Sequence, residues 1–272
     1  MNELQIPGKS VNGFILTQEF KRFEEFAIAC TDFRYIGICH GDPGVGKSLA
    51  ASYYMQWKEE LIHENAIDEL SPEKKIIIEK CKGVLLTVPV INTPKIMKTE
   101  IGRRSFGYGL TLIKSKYGTN LNETIKEAFT ACPLVMVDEA DRLNINSLEE
   151  VRSQYDQFQF GLILIGMPGI EKRFSRYPQL YSRIGFCHEF KSLTEDEMRF
   201  RLPNIWENLG FSYNSDYYSD VEALNTIIRI TGGNFRLIDR LFSQIIRLIK
   251  VNQLTCINKE VVEAARKCLL MS

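Results

Sequence analysis

The chain of 272 residues has no excess of either charge: 34 lysines and arginines face 34 aspartates and glutamates, for a formal net charge of zero. Overall charge thus argues neither for nor against a polyanionic partner, and any nucleic-acid signal must be local. Histidine is scarce. His40, His63 and His188 are the three present, each without a ligand-type neighbour at useful spacing, so a tetrahedral metal centre is not expected. The seven cysteines (Cys30, Cys39, Cys81, Cys132, Cys187, Cys256 and Cys268) stand singly with no Cys-x-x-Cys. That excludes a zinc ribbon or disulfide framework and reads as reduced core thiols. No run approaches the roughly 18 apolar residues of a membrane span. Residues 1–16 also lack the apolar core of a signal peptide. A soluble, cytoplasmic protein is expected. Repeats and low-complexity tracts are absent too.

What is present is an alternation of short apolar runs with helical segments. Thr17 can cap a helix running to about Cys30, with Phe20, Phe23, Phe26 and Ala27 at helical spacing. Runs of strand length follow at 35–40, 84–90, 134–138, 161–166 and 185–190. Strands apolar on both faces, interleaved with helices, predict a parallel sheet covered on both sides. Residues 48–62 read as the first crossover helix, and Ser71-Pro72 can open another. Beyond residue 191 only helices are expected, over about 195–209, 219–231, 234–250 and 259–270, the first opened by a Thr194/Glu197 capping box.

Two motifs carry chemistry. Gly41, Asp42, Pro43, Gly44, Val45, Gly46, Lys47 and Ser48, followed by Leu49, fit G-x-x-x-x-G-K-[ST] between a predicted strand and a predicted helix. Glycines permit positive φ, so that successive N–H groups point inward at phosphate, and the helix N-terminus adds its positive end. Lys47 would reach the β- and γ-phosphates of ATP and Ser48 would ligate Mg²⁺. A Gly/Pro turn is the plain alternative. The second motif, "LVMVDEADRL", puts Asp138 and Glu139 at a strand end. There, Asp138 can hold the magnesium ion and Glu139 can act as general base on an attacking water.

With these motifs in place, residues 35–250 resemble an AAA+ ATPase. "GLILIGMPGI" falls at the family's fourth strand and sensor 1, "YPQLYSRIGFCHEF" at its arginine finger and fifth strand, and Gly233-Asn-Phe-Arg236 at sensor 2 of the lid. The short chain and the stretches "VDEADRL", "LIGMPGIEKRF" and "TGGNFRLIDRL" look most like bacterial transposition regulators of the TnsC, TniB, IstB and MuB kind. The resemblance implies an α/β domain over 1–191 with a five-stranded parallel sheet, then a helical lid over 192–272. It implies Arg183 as the finger reaching a neighbouring protomer's ATP, with Arg176 as a rival, and Arg236 as a γ-phosphate contact. Sensor 1 is ordinarily polar, whereas the corresponding position here is Met167. Either the register is shifted by a residue, or hydrolysis is slow until a partner completes the site.

The most basic stretch, residues 91–117, holds Lys95, Lys98, Arg103, Arg104, Lys114 and Lys116 against the one acid Glu100, with Tyr108 and Tyr117 among them. A solvated amphipathic helix would account for the charge alone. Related transposition regulators place DNA-backbone contacts after the second strand, so the resemblance makes this the expected duplex-DNA surface, largely indifferent to sequence. The implied function is an ATPase that forms a ring or filament on DNA and recruits a DDE/integrase-type transposase. A replication initiator or helicase loader, and a non-hydrolysing nucleotide-bound scaffold, are the alternatives. No helix-turn-helix, zinc-finger or homeodomain-like segment is visible.

Overall fold

A computed structural model describes residues 16–61, 70–117, 127–128 and 130–269. The backbone separates into two compact units. One contains Phe20–Asp42 and Lys47–Phe190; the other contains Lys191 onward, the described residues up to Glu19, and the short segment Pro43–Gly46.

The larger unit is a parallel sheet flanked by helices. In chain order it runs α1 (Gln18–Phe33, entering from the other unit), β1 (Ile36–His40), α2 (Lys47–Met55), a 3₁₀ turn (Glu59–Leu61), α3 (Pro72–Lys80), β2 (Val84–Thr87) and α4 (Pro94–Tyr117). Then follow β3 (Leu134–Asp138), a 3₁₀ turn (Ala140–Arg142), α5 (Ile145–Phe158), β4 (Gly161–Gly166), α6 (Ile170–Phe174), α7 (Pro178–Tyr181) and β5 (Ile184–Glu189). The strand order is β2-β3-β4-β1-β5, and every neighbouring pair is parallel.

Burial follows position in the sheet. Every residue of the inner strands β3 and β4 is buried, whereas edge strand β5 alternates residue by residue. On one face, Ile36, Ile38, Val135, Val137, Leu162 and Leu164 form the core with α3, α4 and α5. Elsewhere in the unit α1 supplies aromatics: Phe23 lies 5.8 Å from Phe190, and Phe26 stacks on His188 at 5.3 Å. Burial pushes the thiols of Cys30 and Cys132 up to about 12. Cys30, Cys39, Cys81 and Cys132 are core thiols as expected, but Cys187, Cys256 and Cys268 are exposed. Cys187 sits on the half-covered edge strand β5, and Cys256 and Cys268 lie in the loop before the last helix and at that helix's end.

The smaller unit is helical: α8 (Glu195–Asn208), α9 (Tyr218–Thr231), α10 (Phe235–Asn252) and α11 (Lys259–Lys267). Thr194 and Glu197 form the expected capping box. Trp206, Leu224, Ile227, Leu241, Phe242, Ile245 and Val262 fill the core. The Gly-Gly-Asn turn between α9 and α10 has a structural cause. Gly232 and Gly233 take left-handed φ of 52° and 78°, and a Cβ on Gly233 would stand 2.1 Å from the Leu193 carbonyl oxygen. Asn234 then caps α10, its Oδ1 accepting from the N–H groups of Arg236 and Leu237. Within the same unit, Asn234 Nδ2 donates to the Pro43 carbonyl at 2.8 Å. Among the described residues no helix is long and apolar enough to cross a membrane.

Candidate nucleotide site

The C-terminal ends of β1, β4 and β3 lie side by side, since His40 pairs with Gly166 and Val137 with Leu164. At the ~4.8 Å spacing of strands, the loop leaving β1 and the acids ending β3 stand about 10 Å apart, with β4 between them. Ligands of open α/β sheets bind at such carboxyl edges.

The loop after β1 has the expected conformation, with its glycines divided in task. Gly44 and Gly46 have φ of 87° and 107°, the left-handed values that turn N–H groups inward. Gly41 serves packing instead, since a Cβ there would lie 2.2 Å from the Phe190 carbonyl oxygen. Val45 is buried, Asp42, Pro43 and Leu49 are exposed, and Ser48 presents its hydroxyl at the exposed N-terminus of α2. Lys47 is only 8% exposed, and its ammonium donates to the carbonyls of Gly41 (2.5 Å) and Asp42 (2.9 Å). Desolvation lowers its pKa, with Cys39, Asp138, Asp141 and Asp42 acting the other way.

At the end of β3, Asp138 is 7% exposed and its Oδ1 accepts the Glu139 N–H at 2.9 Å. Glu139 itself takes left-handed backbone angles, φ 54° and ψ 39°, which carry the chain out of the strand into the 3₁₀ turn. Its carboxylate forms an ion pair with Arg142, whose guanidinium also donates to the Val88 carbonyl at 3.0 Å. Asp141 was not among the residues predicted, yet it organises this edge. Its Oδ1 accepts the Met167 N–H at 3.0 Å, its carbonyl accepts from Arg173, and a Cβ on Gly166 would lie 2.6 Å from it. The available signal was its place within "DEADR", three residues past the first acid.

Met167 directly follows β4, 40% exposed, and engages the site through its backbone alone. Arg183 precedes β5 and is 34% exposed; its Nε donates to Asp156 on α5 at 2.6 Å. Arg176 is exposed and makes no ion pair among the described residues. In the helical unit, Arg236 is exposed at the start of α10 and its N–H donates to the Gly44 carbonyl at 3.3 Å.

The basic segment is largely one helix, α4, and its cations do not share a face. Lys95, Lys98 and Lys116 are exposed. Lys114 is a correction to the expected surface: it is 3% exposed. Arg103 and Arg104 both pair with Glu100 and with Glu59 of the preceding 3₁₀ turn, a second acid distant in sequence. Tyr108 is likewise a core residue, its hydroxyl donating to the Cys81 carbonyl at 3.2 Å. The side chain of Tyr117 and the whole of His63 lie outside the described residues. Among those described, no three His, Cys, Asp or Glu residues are grouped to hold a metal ion.

The model of the AAA domain family matches residues 31–174, which span the loop, both acids and β4. The chain belongs to this AAA family. A Staphylococcus aureus protein described as a potential ATP-binding protein is 43% identical over 262 residues, covering 95% of this chain and 97% of its own length. Among solved structures, this AAA chain is similar to Thermotoga maritima RuvB, a Holliday junction branch migration motor. The TM-score is 0.56 at 18% identity, over 98% of this chain and 74% of that one. It is also similar to Drosophila ORC in a structure bound to DNA, with TM-score 0.54 and 14% identity, over 100% and 63% of the two chains. Likeness at that identity shows the AAA+ fold.

Proposed function

We propose that this AAA protein is an ATP-dependent, largely sequence-indifferent DNA-binding ATPase that oligomerises on duplex DNA and presents the assembly to a DDE/integrase-type transposase. The observation carrying the ATP part is a buried lysine in a loop of left-handed glycines, two strands from a paired Asp138 and Glu139. Lys47 would exchange its loop carbonyls for β- and γ-phosphate oxygens. The Ser48 hydroxyl and the buried Asp138 carboxylate are of the type that holds Mg²⁺, and that ion would neutralise charge on the phosphates. Glu139 would orient the attacking water and take its proton. Arg183 would leave Asp156 to reach a neighbouring protomer's phosphates, and Arg236 would touch the γ-phosphate.

Weak turnover without a partner fits two observations. The Glu139 carboxylate is held by Arg142, and the Met167 thioether is a poor partner for water. DNA binding draws support from exposed Lys95, Lys98 and Arg103, and from the likeness to RuvB, a Holliday junction branch migration motor, and to ORC in its DNA-bound structure. The transposase assignment draws on the resemblance of "VDEADRL" and "TGGNFRLIDRL" to transposition regulators.

Glu139→Gln is the decisive variant. Phosphate release should fall at least about a hundredfold, in line with loss of a general base, while ATP-dependent retention on duplex DNA persists. A nucleotide-bound scaffold predicts no change in either. Unaltered phosphate release would remove the hydrolytic part of the reading.

A further inference from the structure

We infer that α10 of the helical unit carries a second phosphate-backbone surface, formed by Arg240, Arg247 and Lys250, that lies against duplex DNA. This rests on the reading of the protein as a DNA binder and adds a surface on an element outside the basic segment 91–117.

At 3.6 residues per turn these three side chains fall within an arc of about 80°, and at 1.5 Å per residue they extend about 15 Å along the helix. All three are exposed. The opposite face is the apolar one that packs the unit, with Leu241, Phe242, Ile245 and Ile249 all buried. With Arg236, four cations against the one acid Asp239 leave the helix with a net charge of 4 − 1 = +3 in a chain that is neutral overall. Asp239 sits at the border of the arc and forms no ion pair with Arg236 or Arg240 among the described residues.

Arginines on several other helices of this protein have carboxylate partners. Arg152 lies between Glu149 and Asp156, Arg199 against Glu195, and Arg229 and Arg266 share Glu263. On α10, by contrast, Arg236, Arg240 and Lys250 have no carboxylate partner among the described residues, and Arg247 donates to the neutral Gln244 at 3.1 Å. One sign of charge, left unneutralised in a line, fits a polyanion.

Duplex DNA fits better than an acidic protein because the arc contains Ser243 and no apolar residue between Arg240 and Lys250, whereas protein interfaces depend on buried apolar or aromatic anchors. A length of about 15 Å spans roughly four phosphates of one strand at 3.4 Å each.

The test is fluorescence anisotropy of a labelled duplex with full-length protein and a non-hydrolysable ATP analogue, titrated across salt concentrations. Arg236 is left intact because of its proposed nucleotide contact. The triple variant Arg240→Ala, Arg247→Ala, Lys250→Ala should weaken binding at least about tenfold at 0.1 M salt and flatten the log–log salt slope by about 2.7, at 0.9 per phosphate. Nucleotide binding should be unchanged. The swap Arg240→Lys, Arg247→Lys should keep the slope. If the triple variant fails to fold by circular dichroism, Arg247→Ala alone should flatten the slope by about 0.9.

An unchanged slope overturns the inference. If Lys95→Ala, Lys98→Ala lowers affinity while the α10 variants do not, DNA binding stands and only this surface fails. Wild-type protein with no salt-dependent DNA affinity sinks both. A change in self-association measured by light scattering without DNA, at an unaltered salt slope, reassigns the stripe to a second copy of this chain. Loss of binding to an acidic protein at an unaltered slope reassigns it to that class.

Discussion

Burial in the loop after β1 pushes the Lys47 ammonium below the ordinary lysine value of 10.5, partly offset by Cys39 and by Asp138, Asp141 and Asp42. Folding therefore weakens the hold on that proton. Between the depressed folded value and 10.5 the unfolded chain binds more protons, so stability rises as pH climbs through that window. Lys47→Met should lack the alkaline gain: the melting temperature of wild type relative to the variant should rise as pH climbs toward the ordinary lysine value of 10.5. The same variant should lose its response to nucleotide. Ligand at 100 times its Kd stabilises by about 2.7 kcal/mol, which at about 2–4 °C per kcal/mol gives wild type a shift of about 5–10 °C. Differential scanning calorimetry with and without ATP reads both effects. A shift retained in Lys47→Met would place the triphosphate elsewhere.

The elements show why the same glycine motif has two jobs. Gly41 lets the chain pass the Phe190 carbonyl beside β5, while Gly44 and Gly46 shape the phosphate turn. Gly41→Ala should accordingly destabilise the protein even without nucleotide, by about 1–3 kcal/mol as for other overpacked sites, or roughly 2–12 °C in melting temperature. An unchanged melting temperature, with only ATP affinity reduced, would mean that Gly41 acts on phosphate alone.

Strands β3 and β4 were legible to the residue, because a buried parallel strand is an uninterrupted apolar run closed by turn residues. The loop and the acid pair were legible because their chemistry is local in sequence. What could not be read is what depends on helical phase and on partners far along the chain. Residues 91–117 were weighed by charge count, yet α4 turns Lys114 and Tyr108 into the core and brings Arg103 and Arg104 to Glu59. Helix α5 was missed because its core face is carried by few apolar side chains, Leu148 and Val151 among them, in a sequence otherwise polar. Asp141 was passed over because its acceptor role toward Met167 exists only once β3 and β4 are neighbours.

At the scale of the whole molecule, the proposed oligomer has Arg183 act on the nucleotide of the next protomer rather than its own. Within one protomer its Nε is bound to Asp156, and both side chains are 34% exposed. A pair that open to solvent contributes at most about 1 kcal/mol. A triphosphate oxygen offered by a neighbour could therefore displace the aspartate without a large penalty. Head-to-tail contacts put the surface of one copy beside a different surface of the next, so each nucleotide would meet one foreign arginine. Mixing separates the possibilities. Lys47→Met protomers keep Arg183 but bind no triphosphate, and Arg183→Ala protomers bind it but lack the finger; each alone should release little phosphate. In an equimolar mixture half of the protomers hold ATP, and half of those follow a neighbour with Arg183 intact. Turnover should then recover to about a quarter of wild type if assembly is random around a head-to-tail interface. Failure to recover, with the mixed oligomer intact by light scattering, would take Arg183 out of the neighbour's site. The exposed Arg176 would then be the residue to exchange in the same mixture.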